Sequence, residues 1–202
     1  MNKSRLLVKG WVAVIAFGLI VGCVTTPKGE TPTEKRGEVQ KMRAETLAKL
    51  YTLHPPAKAR IKKSVGYAVF SNVGVNIILL SAAGGWGVAH DNKSGRDIYM
   101  KMASGGVGLG LGVKDFRGVF VFSTREAFNN FTDSGWEANV QADAAAKSGD
   151  KGGAAAGAIT VAPGMDLYQI TEQGLALQAT IQGTKYFRDD DLNASVRSKK
   201  QT

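Results

Sequence analysis

From Gly106 to Gly112 glycine occupies every second position, and Val107, Leu109 and Leu111 fill the places between, with Val113 continuing the series. In an extended strand successive side chains point to opposite faces, so this alternation puts every apolar side chain on one face and leaves the other bare. A bare face admits a helix, an aromatic ring or a second backbone at close range, and lets a sheet coil sharply. A phosphate-cradling loop fails on spacing, because a dinucleotide fingerprint needs glycines at steps of two and then three. After Gly106 and Gly108 the required place holds Leu111, and after Gly108 and Gly110 it holds Val113. No G-x-x-x-x-G-K-[ST] run occurs in the chain either. The segment reads as a strand.

Its surroundings read the same way. Of the 25 glycines, twelve lie between Gly66 and Gly118, among β-branched and aromatic residues. Val65 to Leu80 predicts a strand, Gly85 to Met102 two strands around a turn at Asn92 to Gly95, and Gly118 to Phe122 another. A helix follows from Ser123 to about Thr132, with Ser123 or Thr124 as its cap. Trp136, Ala138, Val140, Ala142 and Ala144 alternate with polar residues, as do Leu175, Leu177, Ala179 and Ile181. Such half-buried strands belong to antiparallel sheets. The small-residue passage between them holds either a weak strand or a loop. The fold class expected is α+β: N-terminal amphipathic helices packed on a largely antiparallel, Gly-rich, strongly curved or barrel-like sheet with one internal helix.

Residues 1–22 read as a signal peptide. Lys3, Arg5 and Lys9 precede an apolar run from Trp11 to Gly22. As a helix that run spans about 18 Å, short of a hydrocarbon core of about 30 Å. It ends in Ile20-Val21-Gly22-Cys23, which resembles a bacterial lipobox, and Cys23 is the only cysteine. Lipobox chemistry places a diacylglycerol on the thiol and an acyl chain, such as palmitate, on the freed amine. Val24 follows where an Asp commonly retains Gram-negative lipoproteins in the inner membrane, so the expected location is the outer membrane, facing the periplasm. Val24 to about Pro32 is a polar tether, giving a lipidated tether at 23–33, a domain at 34–192 and a polar tail at 193–202.

The charge is concentrated near that anchor. Lys28 to Lys63 holds ten basic and four acidic residues, whereas Ser64 to Thr202 holds thirteen of each. Val39, Met42, Thr46, Leu50 and Leu53 recur at helical steps in a helix from Glu34 to Leu53, preceded by Thr33. Pro55-Pro56 ends it, and a second helix, Ala57 to Lys63, carries Lys58, Arg60, Lys62 and Lys63. These four are the candidate lipid-headgroup contacts. The competing reading is a solvated face. Nucleic acid is not expected, since no recognition motif is present.

No catalytic residue, metal ligand set or cofactor is expected. His54 and His90 have no free thiol to serve, and no G-x-S-x-G elbow or H-E-x-x-H pair occurs. Asp189-Asp190-Asp191 lacks the spaced ligands of a calcium loop and reads as a solvated acidic turn. Trp86 and Trp136 read as core or barrel-lining rings.

The ordered series "AAGGWGVAHDNKSGRDIYMKMASGGVGLGLGVKDFRGVFVFSTREAFNNF", "GWEANVQADAAA" and "DLYQITEQGLALQATIQGTKYF" resembles the SYLF domain family. The resemblance covers roughly Lys35 to Leu192. It implies a non-enzymatic domain, with phosphoinositide binding through an N-terminal basic amphipathic helix in eukaryotic relatives and actin binding in yeast-type ones. The matching residues here are Lys58, Arg60, Lys62 and Lys63. This sequence has "GDKGGAAA" where many relatives have a Gly-Pro turn, and no SH3 or FYVE neighbour. Two readings stand: a lipid-binding lipoprotein domain whose ligand is an anionic phospholipid or headgroup, or a structural lipoprotein docking on another envelope protein.

Overall fold

The structure, a computed structural model, describes residues 26–77, 80–106, 112–138, 157–171, 174–176 and 183–197. Two helices come first, α1 (Pro32–Leu53) and α2 (Pro56–Lys63). Then follow strands β1 (Gly66–Ile77), β2 (Leu80–Asp91), β3 (Asp97–Gly106) and β4 (Gly112–Phe122). A short helix, α3 (Arg125–Asn129), runs on into a π-turn at Asn130–Ser134. The chain ends in β5 (Trp136–Ala138), β6 (Ile159–Ala162), β7 (Met165–Thr171), β8 (Gly174–Ala176), β9 (Thr184–Arg188) and helix α4 (Asp190–Arg197).

The described strands form one nine-stranded antiparallel sheet in the order β5-β9-β3-β2-β1-β4-β7-β6, with β8 paired to β7. The sheet curls until both flanks share one interior. Ala138 of β5 and Ile159 and Val161 of β6 join the same core as Phe70 of β1 and Phe120 of β4. Phe128 and Phe131 of the α3 segment plug that interior, which is the expected nearly closed, barrel-like α+β fold. Phe70, Phe120 and Tyr186 meet edge to face, with centroids 4.8 Å apart for Phe70–Tyr186 and 5.0 Å for Phe120–Tyr186. Each such pair contributes about 0.5–1.5 kcal/mol beyond simple burial.

The outer face is apolar as well. In register across β3, β2, β1, β4 and β7 stand Tyr99, Val88, Val69, Val119 and Tyr168, all buried. Val39, Met42 and Leu50 of α1, Ala57 and Ile61 of α2, and Leu192 of α4 belong to the same outer cluster. The central strands are therefore apolar on both faces, and their sequences run as "YAVF" and "VFVF" without polar interruption.

Several boundaries differ from expectation for local reasons. Helix α1 starts at Pro32, because Thr31 and Glu34 form a capping box: Glu34 N donates to Thr31 Oγ1 (3.2 Å) and Thr31 N to Glu34 Oε2 (3.0 Å). Thr124 caps α3. Leu53 is 42 % exposed instead of continuing the buried stripe. Strand β7, buried along Met165 to Ile170, lacks the polar alternation that would have announced it, and β9 and α4 are short. The predicted polar tail is helical at its start, and Asn193 Nδ2 donates to Tyr99 O (2.8 Å). In the glycine-alternating segment, Gly106 closes β3 and Gly112 opens β4, two strands that are not neighbours, while residues 107–111 lie outside the described residues. So do 139–144 and 177–181 of the two alternating segments; the described parts, Trp136–Ala138 and Gly174–Ala176, are strands.

Bare faces do matter where β2 is described. A Cβ on Gly87 would overlap the Val69 carbonyl oxygen and sit 2.5 Å from Phe70 Cδ1. A Cβ on Gly118 would make only ordinary van der Waals contacts, with Leu167 Cδ1 at 3.5 Å and Phe120 Cε2 at 4.0 Å. Gly87→Ala should therefore destabilise by about 1–3 kcal/mol or more through overpacking, and Gly118→Ala by less than about 1 kcal/mol. Urea midpoints check this; a Gly87→Ala protein as stable as the parent would contradict the packing described.

Candidate functional site

Helix α1 lies across the strands as a strap, and its polar side chains mark the crossing. Arg36 Nε donates to Leu192 O of α4 (2.9 Å), and its guanidinium sits 5.8 Å from the Tyr99 ring centroid. One turn on, Gln40 Nε2 (2.9 Å) and Arg43 Nη1 (2.8 Å) donate to the Asp97 carboxylate at the start of β3. Further along, Thr46 Oγ1 accepts from Arg117 of β4 (3.1 Å), and Lys49 Nζ donates to Thr171 O of β7 (3.2 Å).

Helix α2 repeats the device at shorter length. Ala57 and Ile61 face the sheet, and Asn92 Nδ2 donates to the carbonyls of Ile61 (2.8 Å) and Ser64 (3.0 Å) at its end. Arg60 is half-buried, and its guanidinium pairs with the Asp166 carboxylate of β7, which also accepts from Thr160 Oγ1 (2.7 Å). Burial pushes the neighbouring Tyr168 phenol above its ordinary pKa, with Arg60 pulling the other way.

Lys58, Lys62 and Lys63 are exposed together with Ala59, on the side of α2 opposite Ala57 and Ile61. At the corner between α1 and α2, Pro55 and Pro56 are exposed beside Leu53, the one exposed large hydrophobic residue among those described. The corner thus combines an apolar tip with a cluster of lysines. Three of the four predicted headgroup residues share this surface, and Arg60 is tied into the domain beneath it.

The other residues singled out from the sequence are structural. His90 Nδ1 lies 2.6 Å from Asp97 Oδ1, and His54 packs 5.8 Å from the Tyr168 ring. Asp189 is not a solvated turn: it is buried, accepts from Leu192 N (3.1 Å) at the start of α4, and pairs with Lys101 Nζ (3.2 Å). Burial lowers the Lys101 pKa, but Asp189 and Asp191 outweigh it and the net shift is upward. Trp136 packs among the interior rings, whereas Trp86 packs on the outer cluster. Among the described residues no group of three or more His, Cys, Asp or Glu is arranged to hold a metal ion, and no helix is long and apolar enough to cross a membrane. Cys23 lies outside the described residues.

Residues 103–201 match the family described as Ysc84: Las17-binding protein actin regulator. The chain belongs to this SYLF family. Among curated proteins it is 35 % identical over 170 residues to beta cell expansion factor A of Aeromonas veronii. That alignment covers 83 % of this chain, which spans 62 % of the relative's length.

Within α2 the cations divide by chemistry: the planar guanidinium of Arg60 makes a directed pair, and the strongly hydrated ammonium groups of Lys58, Lys62 and Lys63 stay in water. Removing Arg60 leaves Asp166 largely buried without its cation. Arg60→Ala should cost about 1–3 kcal/mol, while Lys58→Ala, Lys62→Ala and Lys63→Ala each stay within about 0.5 kcal/mol of the parent. Urea or thermal unfolding checks this; equal effects at all four positions would contradict the assignment.

Proposed function

We propose that this protein is a non-catalytic lipoprotein, acylated at Cys23 on the periplasmic face of the outer membrane, whose domain binds anionic phospholipid headgroups. The observation that supports this most is the exposed face of α2, which carries Lys58, Lys62 and Lys63 and follows directly on the exposed Leu53, Pro55 and Pro56. Each lysine near an anionic surface contributes about 1 kcal/mol, and a neighbouring apolar tip adds burial in the headgroup region. The charge balance agrees, since the whole excess of basic residues after the leader precedes Ser64. The interior is filled by Phe, Trp and Tyr rings where it is described, which favours surface contact over enclosure of an acyl chain. The family description names actin regulation and a Las17 partner, and the relative's name refers to beta cells. Neither is carried to this chain, whose proposed compartment holds no actin.

The test uses the Cys23→Ser chain, so that no acyl group contributes, with phosphatidylglycerol and phosphatidylcholine vesicles. The parent should bind the anionic vesicles and weaken as salt rises, because attraction fades within a Debye length of about 8 Å at physiological ionic strength. Changing Lys58, Lys62 and Lys63 to Glu, with Arg60 retained, should weaken binding by about 3 kcal/mol or more, roughly a hundredfold. Undiminished binding by that folded variant would overturn the reading and leave docking on an envelope protein in its place.

A further inference from the structure

The lysine corner and the anchor lie at opposite ends of α1. Pro27 is buried, in a pocket of about 70 Å³ that it lines together with Trp86, Lys101 and Leu192. Within the segment read as a free tether, Pro27 is therefore held against the domain, while Thr26 and Lys28 to Thr31 are exposed. Only Val24 and Thr25 separate Cys23 from Thr26, so chain length keeps an acyl group on Cys23 within about 11 Å of Thr26, which lines the same pocket as Lys35 near the start of α1. From there α1 runs 22 residues, about 33 Å, to the corner that carries Leu53 and the lysines.

That span decides the pose. Were α1 to stand upright on the anchoring membrane, the lysines would lie several Debye lengths above it and feel almost no attraction. The anchor and the corner reach one bilayer together only when α1 lies along it. The placement permits this, because α1, α2, α4 and the Pro27 pocket all belong to the outer face of the sheet, whereas α3 packs on the interior side. Along the exposed side of α1, Lys41 and Lys49 balance Glu34 and Glu45, so its middle neither draws nor repels an anionic surface.

We propose that the anchored protein lies with its helical layer flat on an anionic bilayer, pinned at two points: the acyl group, tethered near the start of α1, and the Leu53–lysine corner at its other end. This rests on the proposed function above. The experiment uses the lipidated full chain in phosphatidylglycerol vesicles bearing a headgroup-attached quencher, with a fluorophore at one of three exposed positions. Ala59→Cys reports the corner, Ala48→Cys the outer side of α1, and Asp133→Cys the far side. Strong quenching at 59 and 48 with none at 133 is the expected pattern, and changing Lys58, Lys62 and Lys63 to Glu should release the probe at 59 while the protein stays anchored. Quenching absent at 59, or equal at all three positions, on protein that still floats with the vesicles would overturn the pose and leave the anchor reading intact. Protein that fails to float with the vesicles would sink both.

Discussion

The structure depends on a sheet that is apolar on both sides. Phe70 and Phe120 point into the barrel from the same strands that send Val69, Val119 and Val121 outward. A side chain of that size contributes about 1.5–3 kcal/mol when fully buried, so neither face tolerates exposure to water. Curling the sheet solves the inner face, and the glycines of β2 make room for the rings that fill it. The outer face needs a cover long enough to cross from β3 to β7. Helix α1 supplies it, and its start is set by the Thr31–Glu34 capping box.

That demand explains how the basic N-terminal region divides its work. Arg36, Arg43 and Arg60 face the domain and hold, in turn, the α4 carbonyl of Leu192, Asp97 of β3 and Asp166 of β7. Lys58, Lys62 and Lys63 remain in solvent one helical face away. A net charge counted over the segment merges two roles, one structural and one available for an anionic surface. Pro27, buried near the start of α1, likewise ties the segment before the helix to the domain.

Much of the architecture was legible because the signals were local. Helical steps at Val39, Met42, Thr46 and Leu50, the Pro55-Pro56 break and the turn at Asn92 to Gly95 each specify an element without tertiary help. Strand β7 was not legible, since a strand buried on both faces has no period to read, and Asp166 within it looks like a surface residue until Arg60 is placed beside it. Asp189 was misread for the same reason: its partner Lys101 is distant in sequence. The exposure of Lys58, Lys62 and Lys63 on α2 was legible in the sequence, but Arg60 could be told apart from them only by the greater suitability of arginine for directed pairing.

Helix α1 holds the domain together as a strap, and the proposed membrane contact falls at its corner with α2 and not along a detached helix. Native-state hydrogen exchange over residues 39–50 tests it most directly, measured with and without phosphatidylglycerol vesicles. The account predicts that these amides exchange only through global unfolding, as protected as those of β1 and β4, and that vesicles leave them so. Fast exchange through local opening of α1, or loss of its protection on binding vesicles, would show a helix that detaches from the sheet and would contradict the account.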